Sequence, residues 1–284
     1  MTQFQKEDIV DYYVECEDHY RQWWDLDRSM AMHAGFWDKN TKDLHEALIK
    51  ENEVLARYAH IKASDRVLDA GCGVGGSSIY LAEKIGCEVI GITLAERQVQ
   101  AAKNYAAQRN LKRPPEFLVR DFTNTNFPAG SIDVVWAIES VCHAKDKRDF
   151  IREAFRVLKP SGRLILADGF HVRNEYTEKE RQLLAKAVNG WAVESMESIP
   201  NFQRYLQEAG FSHIVKRDAT QLVLPSSRLL FMYSFPALAW SKLGEYLGWS
   251  TRAQTQDFVS YHYQYWSVRK GLAKYIIFTA TKPS

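Results

Sequence analysis

Short apolar runs recur along the chain from about residue 64, and longer amphipathic stretches separate them. The runs predict seven strands, at 67–69, 88–92, 116–119, 132–137, 163–167, 213–217 and 274–281. The stretches between them predict helices at about 76–85, 95–109, 147–158, 178–191 and 201–208. Strands that alternate with helices are typical of a doubly wound α/β sheet, so we predict that fold with seven strands.

Two segments lie outside this alternation. The sequence predicts helices in residues 1–60 and a long insertion before the last strand, at 219–270. The chain then divides into an N-terminal helical cap segment at 1–60, a core at 61–218, a cap insertion at 219–270 and the last core strand at 271–284. A connection as long as this insertion is usually functional in a compact domain.

The insertion is rich in aromatic residues: Phe231, Tyr233, Phe235, Trp240, Tyr246, Trp249, Phe258, Tyr261, Tyr263, Tyr265 and Trp266. We interpret them as the lining of an apolar substrate pocket, because ligand sites are concave and mostly apolar. Phe231 and Tyr265 are the insertion residues that we assign to this pocket. A satellite hydrophobic cluster is one alternative. Peripheral contact with a membrane is another, since 229–240 is apolar apart from Ser234.

A glycine-rich turn follows the first strand, with the sequence Val-Leu-Asp-Ala-Gly-Cys-Gly-Val-Gly-Gly at 67–76. Glycines let the backbone approach a ligand where a Cβ would intrude, which indicates a nucleoside cofactor. The turn alone fits both a nicotinamide dinucleotide and S-adenosylmethionine. A dinucleotide site carries an acid about 20 residues further on, where this chain has Thr93. The missing acid favours S-adenosylmethionine.

Several stretches resemble the class I S-adenosylmethionine-dependent methyltransferases. The glycine turn is one, and Phe-Arg-Val-Leu-Lys-Pro-Ser-Gly at 155–162, before the fifth strand, is another. Gly-Ile-Thr-Leu at 91–94 with Gln98, and Trp-Ala-Ile-Glu-Ser-Val-Cys-His-Ala at 136–144, resemble the small-molecule branch that includes sterol methyltransferases. The fifteen residues at 269–283 are similar to the corresponding stretch of tocopherol methyltransferases. The resemblance implies a Rossmann-like fold that binds S-adenosylmethionine.

The resemblance also assigns roles to residues at the strand ends. It places Asp69, Gly71 and Gly73 on the methionine part of the cofactor, Thr93, Leu94 and Gln98 on the ribose side, and Asp121 with Phe122 at the adenine. Asp121 follows the third strand, at the edge where open α/β sheets bind ligands. No metal is expected, because methyl transfer needs mainly orientation and exclusion of water.

Glu139 follows the fourth strand and is the first candidate for a catalytic residue. Resemblance to sterol and prenyl C-methyltransferases implies that it stabilises a carbocation and accepts its proton. The alternative is a carboxylate that hydrogen-bonds loop amides. His143 is a candidate base for a phenol or an amine. We assign His33 and Tyr20, from the N-terminal segment, to the substrate pocket.

The predicted function is therefore C-methylation of a hydrophobic, isoprenoid-like small molecule of the sterol, tocopherol or prenyl type. The alternative is N- or O-methylation of a small amine or phenol. A nicotinamide oxidoreductase is disfavoured by Thr93, and a non-catalytic cofactor-binding protein is disfavoured by the intact turn together with Glu139.

Composition limits the partners and the location. A net charge of +2 with 25% charged residues argues against a nucleic-acid partner. Four cysteines without paired spacing fit a reducing compartment. The first twenty residues are acidic, unlike a targeting peptide, so we expect a cytoplasmic protein. No continuous apolar run approaches the ~20 residues of a spanning helix.

Overall fold

Seven strands make up one sheet in the computed structural model of the chain, which describes residues 4–284. They are β1 (Arg66–Ala70), β2 (Glu88–Thr93), β3 (Glu116–Val119), β4 (Ile132–Ile138), β5 (Leu158–His171), β6 (Ser212–Asp218) and β7 (Ala273–Thr281). Their order is β3-β2-β1-β4-β5-β7-β6. The first five strands run parallel, and β7 is antiparallel to both of its neighbours. The predicted doubly wound, Rossmann-like sheet is confirmed.

Helices flank the sheet and cover one end of it. They are α1 (Lys6–Trp24), α2 (Leu26–Ser29), α3 (Leu44–Tyr58), α4 (Gly76–Tyr80), α5 (Glu96–Ala107), α6 (Lys147–Val157), α7 (Glu178–Val188), α8 (Ile199–Glu208), α9 (Thr220–Leu247) and α10 (Arg252–Arg269). Local signals set several of their ends. The Asp43 side chain caps α3, and Thr251 with Gln254 forms a capping box that starts α10.

Both faces of the sheet are buried, which explains why its strands are continuous apolar runs. Phe150 of α6 and Phe202 of α8 pack on one face. Leu55 of α3 packs on the other face, together with Trp136 of β4. Polar side chains that could act on a ligand are therefore concentrated where the strands end.

The ends of β1, β2 and β4 lie side by side. Asp69 of β1 pairs with Gly91 of β2 on one side and with Trp136 of β4 on the other. The order of the strands reverses between β1 and β4, and such switch points are where open α/β sheets bind ligands.

The N-terminal segment packs against the insertion. The Tyr12 hydroxyl donates a hydrogen bond to Oδ1 of Asp257 on α10, over 3.1 Å. Nδ1 of His19 lies 3.2 Å from the other oxygen of Asp257. Thr251 donates to Glu15 over 2.7 Å. These contacts tie α1 to the helical hairpin formed by α9 and α10.

The expectation that no part of the chain approaches the length of a membrane-spanning helix is wrong for the insertion. Helix α9 has 28 residues and is long and apolar enough to cross a membrane, by length and composition. The sequence showed no such continuous run because Pro225, Pro236 and scattered serines interrupt it. The helix continues through both prolines.

Candidate active site

Two adjoining cavities lie at the ends of β1, β2 and β4, beneath α1 and the α9–α10 hairpin. The larger has a volume of about 330 Å³ and the smaller of about 110 Å³. Five residues line both cavities: Tyr13, Met32, His33, Glu139 and His143. A molecule in one cavity would therefore meet a molecule in the other at these side chains.

The larger cavity brings together every residue that the resemblance assigns to the cofactor. It is lined by Asp69, Gly71, Gly73, Thr93, Leu94, Gln98, Asp121 and Phe122. Gly71 has a φ of 92°, and a Cβ there would lie 2.3 Å from the Cβ of Ser140. The turn can therefore keep this conformation against Ser140 only with glycine at this position. The volume falls in the range of small-molecule sites.

Buried polar contacts hold the floor of the larger cavity. Asp69 accepts a hydrogen bond of 2.6 Å from the Ser78 hydroxyl. Burial raises the pKa of Asp69 to about 6. Thr93 donates to Oε1 of Gln98 over 2.6 Å. This bond fixes Gln98 and leaves its amide nitrogen available to donate to a ligand. Gln98 therefore offers a polar group beside Thr93, where a dinucleotide site would carry an acid.

Asp121 joins the third strand to the helix above it. Its Oδ2 lies 2.5 Å from Nζ of Lys6, and its Oδ1 accepts bonds of 2.7 Å from the Thr123 backbone N–H and hydroxyl. Burial alone would raise the pKa of Asp121, but these contacts outweigh it and hold the pKa below its ordinary value. The sequence analysis did not identify Lys6, because its partner Asp121 is 115 positions away and no motif marks this part of α1.

Glu139 stands between the two cavities with a strained backbone. Its φ of 44° is unusual for a non-glycine residue, and such positions cluster at functional sites. Oε1 accepts a hydrogen bond of 2.7 Å from the Ala34 backbone N–H. Oε2 has no hydrogen-bond partner among residues 4–284. Burial, followed by the nearby charge of Glu51, raises the pKa of Glu139 to about 7.

His33 is held by Glu51, and Glu51 in turn by Tyr275; the sequence analysis identified neither. Its Nδ1 lies 2.7 Å from Oε2 of Glu51, and the Tyr275 hydroxyl donates to Oε1 of Glu51 over 2.7 Å. Burial would lower the pKa of His33, but Glu51 raises it to about 9. The available signal was a charged residue on the apolar face of α3, beside Ala47 and Leu48.

His33, Glu51 and Glu139 each offer one atom within 4.8 Å of the other two. Nδ1 of His33 and both oxygens of Glu51 are already used in hydrogen bonds. The geometry therefore describes a buried charge cluster in which His33 pairs with Glu51. Nε2 of His33 and Oε2 of Glu139 have no hydrogen-bond partner among residues 4–284.

His143 also reaches both cavities. Its Nε2 lies 3.0 Å from the Tyr13 hydroxyl, in hydrogen-bond contact. Burial lowers the pKa of His143 to about 4, so its imidazole is neutral at pH 7.

The smaller cavity combines aromatic rings with carboxylates. Its aromatic lining comprises Tyr12, Tyr13, Tyr20, Trp24, Trp191, Tyr261 and Tyr275. The acids are Glu139 and Asp168, and burial raises the pKa of Asp168 to about 6. Within the described residues, no lysine or arginine lines this cavity. Such a wall favours a neutral ligand or one that develops positive charge.

Two residues assigned to the substrate pocket lie elsewhere. Phe231 and Tyr265 stack on each other, with ring centroids 4.5 Å apart, and line neither cavity. Helical periodicity turns Leu230 and Tyr261 inward instead. Tyr20 lines the smaller cavity and His33 lines both. Their assignment to the substrate pocket stays a prediction.

Comparison with known proteins shows that the chain is similar to methyltransferases. Residues 68–166 match the family model described as "Methyltransferase domain". The chain is 34% identical over 196 residues to 27-O-demethylrifamycin SV methyltransferase of Amycolatopsis mediterranei, covering 69% of this chain and 71% of that one. It is 29% identical to the chloroplastic tocopherol O-methyltransferase of Arabidopsis thaliana, over 99% of this chain and 84% of the relative.

A solved structure shares the fold over nearly the whole chain. Geranyl diphosphate C-methyltransferase from Streptomyces coelicolor, solved with Mg²⁺, geranyl diphosphate and S-adenosyl-L-homocysteine, superposes with a TM-score of 0.73. The match covers 98% of this chain and 97% of that one at 21% identity.

Proposed function

The chain belongs to the class I S-adenosylmethionine-dependent methyltransferases, and we propose that it methylates a carbon atom of an uncharged, isoprenoid-like small molecule of the sterol, tocopherol or prenyl type. The enzyme class and the cofactor follow from membership of the family. The acceptor and the atom methylated are the proposal. One observation carries it: the carboxylate of Glu139 stands between the two cavities with one oxygen unpartnered among the described residues.

The larger cavity fits the cofactor. Asp69 and the glycine turn would hold its methionine part, Gln98 its ribose and Asp121 its adenine. When bound, S-adenosylmethionine supplies an electrophilic methyl group. The five residues common to both cavities would then surround the point of transfer and exclude water from it.

Attack by an alkene leaves positive charge on the acceptor, which must then lose a proton from carbon. Glu139 can perform both tasks: its charge stabilises the cation, and Oε2 takes the proton as the C–H bond breaks and its electrons form the new double bond. A pKa of about 7 suits a base that works near neutral pH. The aromatic rings of the smaller cavity stabilise the same positive charge.

The lining of the smaller cavity narrows the acceptor. A diphosphate needs cationic side chains, and among the described residues no lysine or arginine lines this cavity. His33 does line it, but its charge is already paired with Glu51. An uncharged isoprenoid has no such need. A cavity of about 110 Å³ is smaller than the roughly 150 Å³ that accommodates benzene, so it holds only the reacting end of such a molecule. The remainder of the molecule would extend beyond this cavity, past the α9 residues that line it.

N- or O-methylation of an amine or phenol is the second candidate, and His143 favours it. Its neutral imidazole lies at the same junction and could accept a proton from a hydroxyl or an ammonium. A base with a pKa of about 4 is poorly matched to neutral pH, whereas Glu139 is well matched. The geometry therefore supports carbon methylation better.

The test is transfer of a labelled methyl group from S-adenosylmethionine to four acceptor classes: neutral isoprenoids, prenyl diphosphates, phenols and amines. We expect label in a neutral isoprenoid, at a new carbon–carbon bond seen by NMR. Glu139→Gln should lose this product. The matched control is Glu53→Gln, an exposed acid that lines neither cavity, which should keep it. Label only in a phenol or amine would contradict the proposal.

A further inference from the structure

The outer face of the α9–α10 hairpin carries a cluster of exposed apolar side chains, which we call the aromatic patch. Its members are 40–87% exposed: Met232, Phe235, Trp240, Leu243, Tyr246, Leu247, Trp249 and Trp266. Within the described residues, twelve large apolar side chains are exposed, and these eight are the ones that gather on a single hairpin. Contiguous exposed apolar surface marks an interaction site.

Six of the eight members of the aromatic patch belong to α9, a helix whose polarity is inverted. The side of α9 that faces the protein carries small and hydroxylated residues, such as Ser227, Ser234 and Ser241. Ser227 donates to Gln264 of α10, and Ser241 contacts Thr255 of α10 over 2.9 Å. Of the most apolar 18-residue window of α9, only 28% is buried. A soluble helix buries its apolar side, whereas helices in lipid pack through small residues and turn their apolar side outward.

The charges around the aromatic patch indicate which kind of lipid it would contact. Arg228, Lys242 and Arg252 are exposed beside it. Between 219 and 256 the sequence has one acid, Glu245, and its carboxylate accepts a hydrogen bond of 3.0 Å from Thr255. Glu15 of α1 also reaches this flank, where it accepts a hydrogen bond from Thr251. Three cations therefore stand against two acids, and this basic excess complements anionic headgroups. Tryptophan and tyrosine are also the residues that prefer the boundary between headgroups and acyl chains.

We propose that the aromatic patch docks on the surface of an anionic lipid membrane, with α9 lying in the interface. The helix does not need to span the membrane, because α10 packs along its polar side. Docking also has a consequence for the substrate. Val223, Ser227 and Leu230 of α9 line the smaller cavity, so one helix connects the docked surface with the reacting end of the acceptor. This last step rests on the proposed function, whereas docking itself does not.

Vesicle co-sedimentation of the full chain tests the docking. The vesicles are phosphatidylcholine alone and an equimolar mixture of phosphatidylcholine with phosphatidylglycerol. We expect the protein to sediment with the anionic vesicles, and less so as salt is added. Phe235→Ser with Trp240→Ser should lower the partition coefficient at least tenfold. Val215→Ser is the matched control, since Val215 is also exposed but lies on β6, and it should bind like the wild type.

Three results would overturn the inference. One is a wild-type protein that ignores both vesicles; another is a Val215→Ser variant that loses binding as fully as the patch variant. The third is a concentration-dependent dimer, seen by sedimentation velocity, that Trp240→Ser abolishes, since a second copy would then occupy the patch. Calorimetry with S-adenosylhomocysteine separates the failures. A wild-type protein that binds S-adenosylhomocysteine with measurable heat but does not bind vesicles contradicts docking alone. A wild-type protein that gives no heat with S-adenosylhomocysteine contradicts the proposed function.

Discussion

His33 and Glu51 form a buried ion pair beside the carboxylate of Glu139, with Nδ1 and Oε2 2.7 Å apart. The pair joins the loop after α2 to α3, and the Tyr275 hydroxyl adds β7 to the same contact. One cluster therefore couples the N-terminal segment, the core and the junction of the two cavities. Its charges also act on Glu139, because Glu51 raises the pKa of that group and His33 lowers it.

We expect Glu51→Ala to destabilise the protein by about 3–5 kcal/mol, because it leaves a buried histidine charge without its partner. Urea unfolding measures the change in the free energy of unfolding. Glu53→Ala is the matched control on the same helix: Glu53 is exposed and pairs with Lys50 over 3.2 Å. An exposed pair of this kind contributes less than about 1 kcal/mol. Equal losses in both variants would contradict the burial argument.

The same pair predicts a pH dependence of stability. The pKa of His33 is raised from 6.5 to about 9 in the folded protein. A raised pKa stabilises the fold fully below the unfolded value, and the benefit is lost as the pH rises through the folded value. The difference in unfolding free energy between wild type and Glu51→Gln should thus be largest near pH 6 and shrink between about pH 6.5 and 9. A difference that stays constant over this range would show that His33 does not carry the charge.

The glycine turn gives a prediction about cofactor binding. Gly71→Ala should abolish binding of S-adenosylhomocysteine in calorimetry, because its Cβ would lie 2.3 Å from that of Ser140. Gly86→Ala is the control. Gly86 has a similar φ of 80° but nothing within 4 Å of an added Cβ. Both variants carry the backbone strain, of about 1–2 kcal/mol, and only Gly71→Ala loses the ligand. Normal binding by Gly71→Ala would place the cofactor elsewhere.

Lys6 should secure α1 over the larger cavity. Lys6→Glu places a like charge against Asp121 and should speed dissociation of S-adenosylhomocysteine, measured by stopped flow. Lys6 is 63% exposed, so the effect should stay within about fivefold. Lys39→Glu makes the same change of charge at an exposed position that does not line the larger cavity, and should leave the rate unchanged. Slower dissociation from Lys6→Glu would contradict the role of the ion pair.

The sequence predicts the fold and the grouping of polar residues around the larger cavity because both depend on local patterns. Strand ends carry Asp69, Thr93, Asp121 and Glu139, and parallel strands deliver such ends to one edge of the sheet. Their grouping around the cavities therefore follows from strand periodicity and the glycine turn.

The rest of the site depends on distant contacts that no local pattern encodes. Tyr275 and Glu51 are 224 positions apart, and their bond forms only when β7 packs beside α3. The density of aromatic residues in the insertion indicates apolar surface but not its direction, so Phe231 and Tyr265 were placed in the pocket although they lie outside it. The sequence also does not predict that α9 continues through Pro225 and Pro236, because a proline inside a helix removes a backbone hydrogen bond and usually kinks or ends the helix.

The most direct test of the account is the turnover of Glu139→Gln at saturating S-adenosylmethionine, with the labelled isoprenoid as acceptor. The wild-type rate should rise with pH through about 7, where Glu139 ionises and becomes a base. Glu139→Gln should bind S-adenosylhomocysteine nearly normally and lose roughly 10²- to 10⁴-fold in turnover, the usual contribution of a general base. A Glu139→Gln enzyme that turns over near the wild-type rate would contradict proton abstraction by Glu139, and with it methylation at carbon.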